Sequence, residues 1–130
     1  MSQTQQIAVA VIVHAERVVV AVRADDPGYG GVLEFPGGKV RDGETVQAAA
    51  EREAWEEAAV RVRAGTVLHM AQRLRAGKRL QLTFLACEPL SDWPPLPPFF
   101  WYPCSALDPL DFPEVNRPLV ERLRREPCIR

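Results

Sequence analysis

Four glutamates, Glu51, Glu53, Glu56 and Glu57, crowd into the segment EREAWEE, with Arg52 among them and Glu44 a little upstream. On a helix, Glu53, Glu56 and Glu57 stand at i, i+3 and i+4, so their carboxylates project to one side and repel one another. A divalent cation turns that repulsion into coordination. Hard oxygen donors without His or Cys suit Mg2+, or Mn2+, better than zinc. Magnesium in such sites keeps some of its water and shares its shell with substrate phosphates, so the cluster points to phosphate chemistry. Gly37 and Gly38 lie just before the segment, where bare backbone can approach a ligand and a carbonyl can join a metal shell. Glu44 can supply a further carboxylate from the same side. Without a cation the same residues make a solvated acidic face, with Arg52 a surface partner of Glu56 at i+4; with one, Arg52 orients a ligating carboxylate.

Positioning these side chains requires a helix. Thr45 is a suitable N-cap, and the alanine-rich run to Ala58 contains no Gly or Pro. Val46, Ala50, Ala54 and Ala58 form a narrow stripe of mostly small side chains that lets the helix lie close on a sheet. That sheet is predicted from β-branched runs at 6–13 and 16–23, a hairpin around Ala15-Glu16, and from a second hairpin at 66–74 and 79–87 around RAGK. Residues 24–31, ADDPGYGG, read as a turn, and VLEFPGGK runs a short apolar segment into a sharp bend. Residues 89–103 read as a packed loop, rich in proline yet carrying Trp93, Phe99, Phe100, Trp101 and Tyr102. A closing helix is expected over 114–126, with Pro118 in its first turn.

The 130 residues suffice for one domain with its own core, and 47% hydrophobic with 25% charged residues is a globular composition. No apolar run is long enough to cross a bilayer, and the N-terminus lacks a signal-peptide pattern, which predicts a cytoplasmic protein without membrane association. Cys87, Cys104 and Cys128 contain no C-x-x-C pair, which argues against a disulfide framework or zinc knuckle. A net charge of -1 offers no general attraction to nucleic acid, so the expected partner is a small phosphate-bearing molecule held at a defined site.

Gly38, then Glu44, then REAWEEAAV resembles the Nudix box, G-x5-E-x7-R-E-U-x-E-E-x-G-U with U a bulky aliphatic; Gly38, Glu44, Arg52, Glu53, Glu56, Glu57 and Val60 match in type and spacing. Ala54 is smaller than the usual aliphatic, and Ala59 replaces the last glycine. If that glycine is a left-handed helix stop, alanine there costs about 1 kcal/mol or shifts the helix end. LEFPGGK and DFPEVNRP extend the likeness to the MutT type of the Nudix hydrolases. The resemblance implies an α/β (α+β) fold, an α/β/α sandwich with a mixed β-sheet between helices, as a single domain over residues 1–130.

It also implies Mg-dependent hydrolysis of a nucleoside triphosphate to monophosphate and pyrophosphate, with oxidised guanine nucleotides such as 8-oxo-dGTP as substrates. Glu53, Glu56, Glu57 and the Gly37 carbonyl would hold the metal. Glu53, or second Glu44, would take the proton from water, with Arg52 as brace. Arg23, residues Glu34, Phe35, Pro36, Gly37 and Gly38, Lys39 and Asn116 would hold the nucleotide. An asparagine suits a purine edge because its amide offers both donor and acceptor; as a structural element it would instead cap the last helix. Phe35, Phe84 and Trp101 are expected in the core. The loop before Trp101, WPPLPPFFW, lacks the acid usual in this type, so the box carries the proton abstraction and the base preference widens to other nucleotides, including CTP and dCTP. A non-catalytic nucleotide-binding module is the competing reading, opposed by the intact acid set.

Overall fold

The computed structural model describes residues 4–23 and 31–127. The expected turn at 24–31, apart from Gly31, and Cys128 lie outside the described residues. The strands are β1 (Thr4–His14), β2 (Arg17–Val22), β3 (Leu33–Glu34), β4 (Gly37–Lys39), β5 (Val62–Arg75), β6 (Lys78–Pro89) and β7 (Phe99–Pro103); the α-helices are α1 (Val46–Ala58) and α2 (Arg117–Arg125). The sheet runs β3-β2-β1-β6-β5, with β4 also paired to β1 and β7 to β2.

β1 organises the fold. Along one edge it pairs parallel with β6 from Thr4↔Arg79 to Ile12↔Cys87. Its other edge is divided, because Ile7, Ala8 and Val9 pair antiparallel with β4, whereas only Val13 and His14 pair with β2. The sheet is therefore mixed, and β2 diverges from β1 soon after the two-residue turn at Ala15 and Glu16, where both residues have positive φ (50 and 62).

The near-continuous apolar run of β1 is explained by burial on both faces. Ala8, Ala10 and Ile12, with Val19 and Ala21 of β2, pack under Ala49, Ala50, Ala54 and Ala58 of α1. Val9, Val11, Val18 and Val20 point the other way, into a cluster with Phe35, Phe84, Phe112 and the α2 residues Leu119, Val120 and Leu123. One helix covers each face, giving the α/β/α sandwich.

Helix α1 begins as its sequence requires, with the Thr45 hydroxyl accepting from Ala48 N at 3.0 Å. It ends at Ala59, which adopts the left-handed conformation (φ 54, ψ 35) expected of the missing glycine; the helix end has not shifted.

Three elements differ from the sequence reading. Residues 99–103 form strand β7 on β2 rather than loop, because the aromatic run after the prolines favours extended backbone and pairs with residues 17–21. β5 starts at Val62 rather than at 66, since register shifts between Ala64 and Val67 and between Val67 and His69 break the simple alternation. The closing helix opens as a 3-10 turn over Glu114–Asn116 and becomes α-helical only from Arg117, with Pro118 in the first turn where no N–H is required.

Candidate functional site

Arg52 is the hub. Its Nε donates to Glu44 Oε2 at 2.8 Å and its Nη2 to Glu44 Oε1 at 3.0 Å. Nη1 donates to Glu53 Oε1 at 2.8 Å and to Glu56 Oε2 at 3.2 Å, and Nη2 also reaches the Lys39 carbonyl at 2.9 Å. Every N–H of the guanidinium is therefore used, a match that lysine's point charge does not reproduce. The side chains of Arg52, Glu44 and Glu53 retain only 16%, 15% and 14% of their exposure, so these charge-assisted bonds are partly shielded from water. The Arg52 guanidinium, and then the Arg41 N–H at 3.0 Å, holds the Glu44 carboxyl at about 2. Glu44 in turn pushes the guanidinium pKa further up.

The two glycines bring backbone to the acids. At Gly38 an added Cβ would lie 2.6 Å from the Glu53 carboxylate, and at Gly37 2.6 Å from the Ala8 carbonyl. Ala10 N donates to Pro36 O, and Val40 N to Gln6 O, so Val9↔Gly37 is a non-hydrogen-bonded pair of the ladder. Both polar groups of Gly37 consequently turn away from β1. Its N–H donates to Glu57 Oε1 at 2.7 Å. Burial of the carboxyl pushes Glu57 up to about 7, with Glu53 and Glu34 adding to the rise while the Gly37 N–H and Arg23 oppose it. Glu57 as a whole residue is exposed, so water moderates the rise.

The expected nucleotide residues fall into two groups. Arg23 Nη1 and Glu34 Oε2 are 2.5 Å apart at the ends of β2 and β3, near enough to Glu57 to affect its charge. Phe35 is buried, stacked on Phe112 at 5.0 Å and edge-on to Phe84 at 6.5 Å. Arg23 N donates to Val32 O, and Val32 N to Asp111 O at 2.8 Å, which ties the DFPEVN segment to this end of the sheet. Asn116 is 5% exposed, and its Oδ1 has no hydrogen-bond partner among the described residues. Its side chain makes no capping bond to α2. Pro36 is buried and the Lys39 side chain is exposed, its carbonyl rather than its ammonium meeting Arg52.

Among the described residues no three Asp, Glu, His or Cys side chains converge as a ready-made metal site. Glu53 and Glu56 are held by Arg52 instead, and Glu57 by Gly37. Glu51, which lies outside the motif positions, accepts from Ala64 N at 2.9 Å and anchors the start of β5. His69 was not singled out by sequence; the signal for it is the bulge in β5, invisible without a register. Glu88 and Asp92, the acids nearest the expected loop position, are exposed. A cavity of about 390 Å³ lies elsewhere, lined by His14, Arg63, Cys87 and Glu88 among others and by none of the box residues; burial pushes the Cys87 thiol there up to about 12.

The geometry has counterparts among known proteins. Over 127 residues the chain is 30% identical to an 8-oxo-dGTP diphosphatase of Escherichia coli K12, covering 92% of this chain and 96% of that one. The solution structure of a DNA mismatch repair protein MutT, a Nudix hydrolase of methicillin-resistant Staphylococcus aureus 252, superposes with a TM-score of 0.74 at 24% identity, covering 97% of this chain and 99% of the other. A MutT Nudix hydrolase of Burkholderia pseudomallei superposes with a TM-score of 0.65 at 26% identity, over 82% and 88%. The NUDIX domain profile matches residues 4–123, and with the sandwich and the Arg52-centred acid cluster already described, this chain belongs to the NUDIX family and is a Nudix hydrolase.

Proposed function

We propose that this hydrolase is a Mg2+-dependent nucleoside triphosphate pyrophosphohydrolase, with Mn2+ as a possible substitute, releasing a nucleoside monophosphate and pyrophosphate and acting by preference on oxidised guanine nucleotides such as 8-oxo-dGTP. The observation that carries this reading is the arrangement of Glu44, Glu53 and Glu56 around Arg52, with Glu57 on the Gly37 N–H and Gly38 against Glu53.

The donor set suits a hard divalent cation. It is all oxygen, and burial, with Glu53 and Glu34 adding to it, pushes the Glu57 carboxyl up to about 7, a cost that a cation beside it would relieve. Glu53, Glu56, Glu57 and the outward-turned Gly37 carbonyl would hold the metal, which when bound neutralises phosphate oxygens and the pyrophosphate leaving group and acidifies a water. Arg52 fixes the rotamers of the carboxylates and has no N–H left for a phosphate, so its part is positioning. Glu44 is held strongly ionised with both oxygens engaged, which makes it a poor proton acceptor. Glu53 engages Arg52 through Oε1 alone, and we assign proton abstraction from water to it.

Arg23 and Glu34 stand where they can meet the nucleotide beside Glu57, and Asn116 offers an unsatisfied amide oxygen to a base. A buried group that a ligand satisfies discriminates strongly against ligands that leave it unpaired. The 30% identity to an 8-oxo-dGTP diphosphatase supports the oxidised-guanine preference. The partner is thus a free nucleotide of the cytoplasm rather than a nucleic acid, in keeping with the net charge of -1.

The test is pyrophosphate release from canonical and oxidised dNTPs, NTPs, ADP-ribose and dinucleoside polyphosphates, with Mg2+ and with Mn2+. 8-oxo-dGTP should be turned over faster than dGTP, and Glu53→Gln should abolish turnover while leaving the melting curve intact. Equal rates on dGTP and 8-oxo-dGTP would remove the sanitising role; full activity of the variant would remove the mechanism.

A further inference from the structure

β5 reaches His69 through a bulge. Val67 pairs with Leu85 and His69 with Phe84, which leaves Leu68 as the extra residue. Cross-strand partners share a face of the sheet, so in a regular ladder Leu68 would stand opposite Phe84, and His69 opposite Thr83 on the other face. The bulge turns His69 to the Phe84 side, where the two rings lie 5.3 Å apart at 45°. There its Nε2 lies 2.8 Å from the Val115 carbonyl. A carbonyl only accepts, so Nε2 carries the proton and donates. Val115 belongs to the 3-10 turn Glu114–Asn116, and Arg122 Nη1, from α2, reaches the carbonyl of the bulge residue Leu68 at 3.4 Å.

What this bond restrains is Asn116. A buried amide oxygen without a partner is costly, and a free turn would relax by rotating it toward water. The turn's own backbone bonds, Asn116 N to Pro113 O at 2.9 Å and Arg117 N to Glu114 O, set its local shape, but the Asn116 side chain makes no cap bond to α2, so nothing in the helix fixes the amide itself. We infer that His69 is a positioning residue for base selection: its N–H to Val115 O locks the turn that presents the Asn116 amide to the nucleobase. This rests on the reading of Asn116 as a base contact.

The experiment compares kcat and KM for 8-oxo-dGTP, dGTP and dCTP in His69→Ala, His69→Gln, Asn116→Ala and the His69→Ala/Asn116→Ala double variant. His69→Ala should raise KM for the preferred nucleotide about fivefold, the worth of one neutral hydrogen bond, at unchanged kcat, and so compress the selectivity. His69→Gln, whose amide N–H can reach the same carbonyl, should restore it, whereas a merely packed ring would not be rescued. Asn116→Ala should lose selectivity, and the double variant should be no worse than Asn116→Ala. If His69→Ala melts below the assay temperature, His69→Leu, which fills the volume and donates nothing, is read in its place. Unchanged selectivity in His69→Ala beside a loss in Asn116→Ala, or fully additive losses, overturns the inference and leaves the Asn116 reading standing. Unchanged selectivity in Asn116→Ala itself overturns both.

Discussion

Arg52 grips Glu44 by both carboxylate oxygens, Nε to Oε2 at 2.8 Å and Nη2 to Oε1 at 3.0 Å. The same guanidinium also meets Glu53, Glu56 and the Lys39 carbonyl, so it joins the start of the box, its helix and β4. Replacing it by Lys keeps the charge and loses the fork. Arg52→Lys should lower divalent-metal affinity and kcat/KM by roughly 10- to 100-fold, the usual cost of removing a partner that orients metal-binding carboxylates. Metal titration followed by tryptophan fluorescence, beside a pyrophosphate assay, measures both; wild-type values in each would refute the brace.

The two glycines should fail in different ways. In Gly38→Ala the new methyl meets the end of the flexible Glu53 side chain, which can move aside, so stability should hold while activity falls at least tenfold. In Gly37→Ala it meets the Ala8 backbone carbonyl at 2.6 Å, which cannot move alone; a loss of about 1–3 kcal/mol is expected. Denaturant melts and activity, read together, separate the two.

Ala59 is the reverse case. With φ at 54 it occupies a conformation that glycine enters without steric cost. Ala59→Gly should stabilise the protein by about 1 kcal/mol and leave the rate unchanged. A lower melting temperature would show that the methyl contributes packing that outweighs the strain.

Glu44 should shape the acid limb of stability. Its folded carboxyl sits at about 2 against an ordinary 4.5, so its contribution is fully present above 4.5 and is lost as pH falls toward about 2. Glu57 has the opposite sign. Raised from 4.5 to about 7, it favours the folded state below 4.5 and loses that contribution as pH rises through about 7 in metal-free protein. Under chelation, Glu44→Gln should flatten the acid limb of a plot of melting temperature against pH, and Glu57→Gln the fall between 4.5 and 7. If both variants retain the wild-type curve, other groups govern it.

Much of the fold was legible in residue types. Thr45 and Ala58 bounded α1 correctly because a capped, alanine-rich helix is specified locally. The two positive-φ hairpin turns, Ala15-Glu16 and Ala76-Gly77, stood where the β-branched runs broke and where the alternating segments met at RAGK. β7 was hidden by the prolines before it, although the aromatics Phe99 to Tyr102 are residues that favour strands. At the site, spacing alone brought Arg52 to Glu56, but not to Glu44 or to the Lys39 carbonyl, because those contacts depend on how α1 packs over β4. Glu51 meets Ala64 N only through the packing of α1 against β5, and His69 reaches Val115 O only through the irregular register of β5, which no periodicity encodes.

The alanine layer between α1 and the sheet has one more consequence. Ala8, Ala10 and Ala21, beside Ile12 and Val19, face Ala49, Ala50, Ala54 and Ala58, so a layer rich in methyl groups sets the height at which the carboxylates stand above Gly37 and Gly38. Such a layer works as a spacer of fixed gauge: one added carbon lifts the helix, and the whole acid cluster moves with it. Divergence in ion preference is then open to buried positions that never touch the ion, through changes of volume rather than of charge.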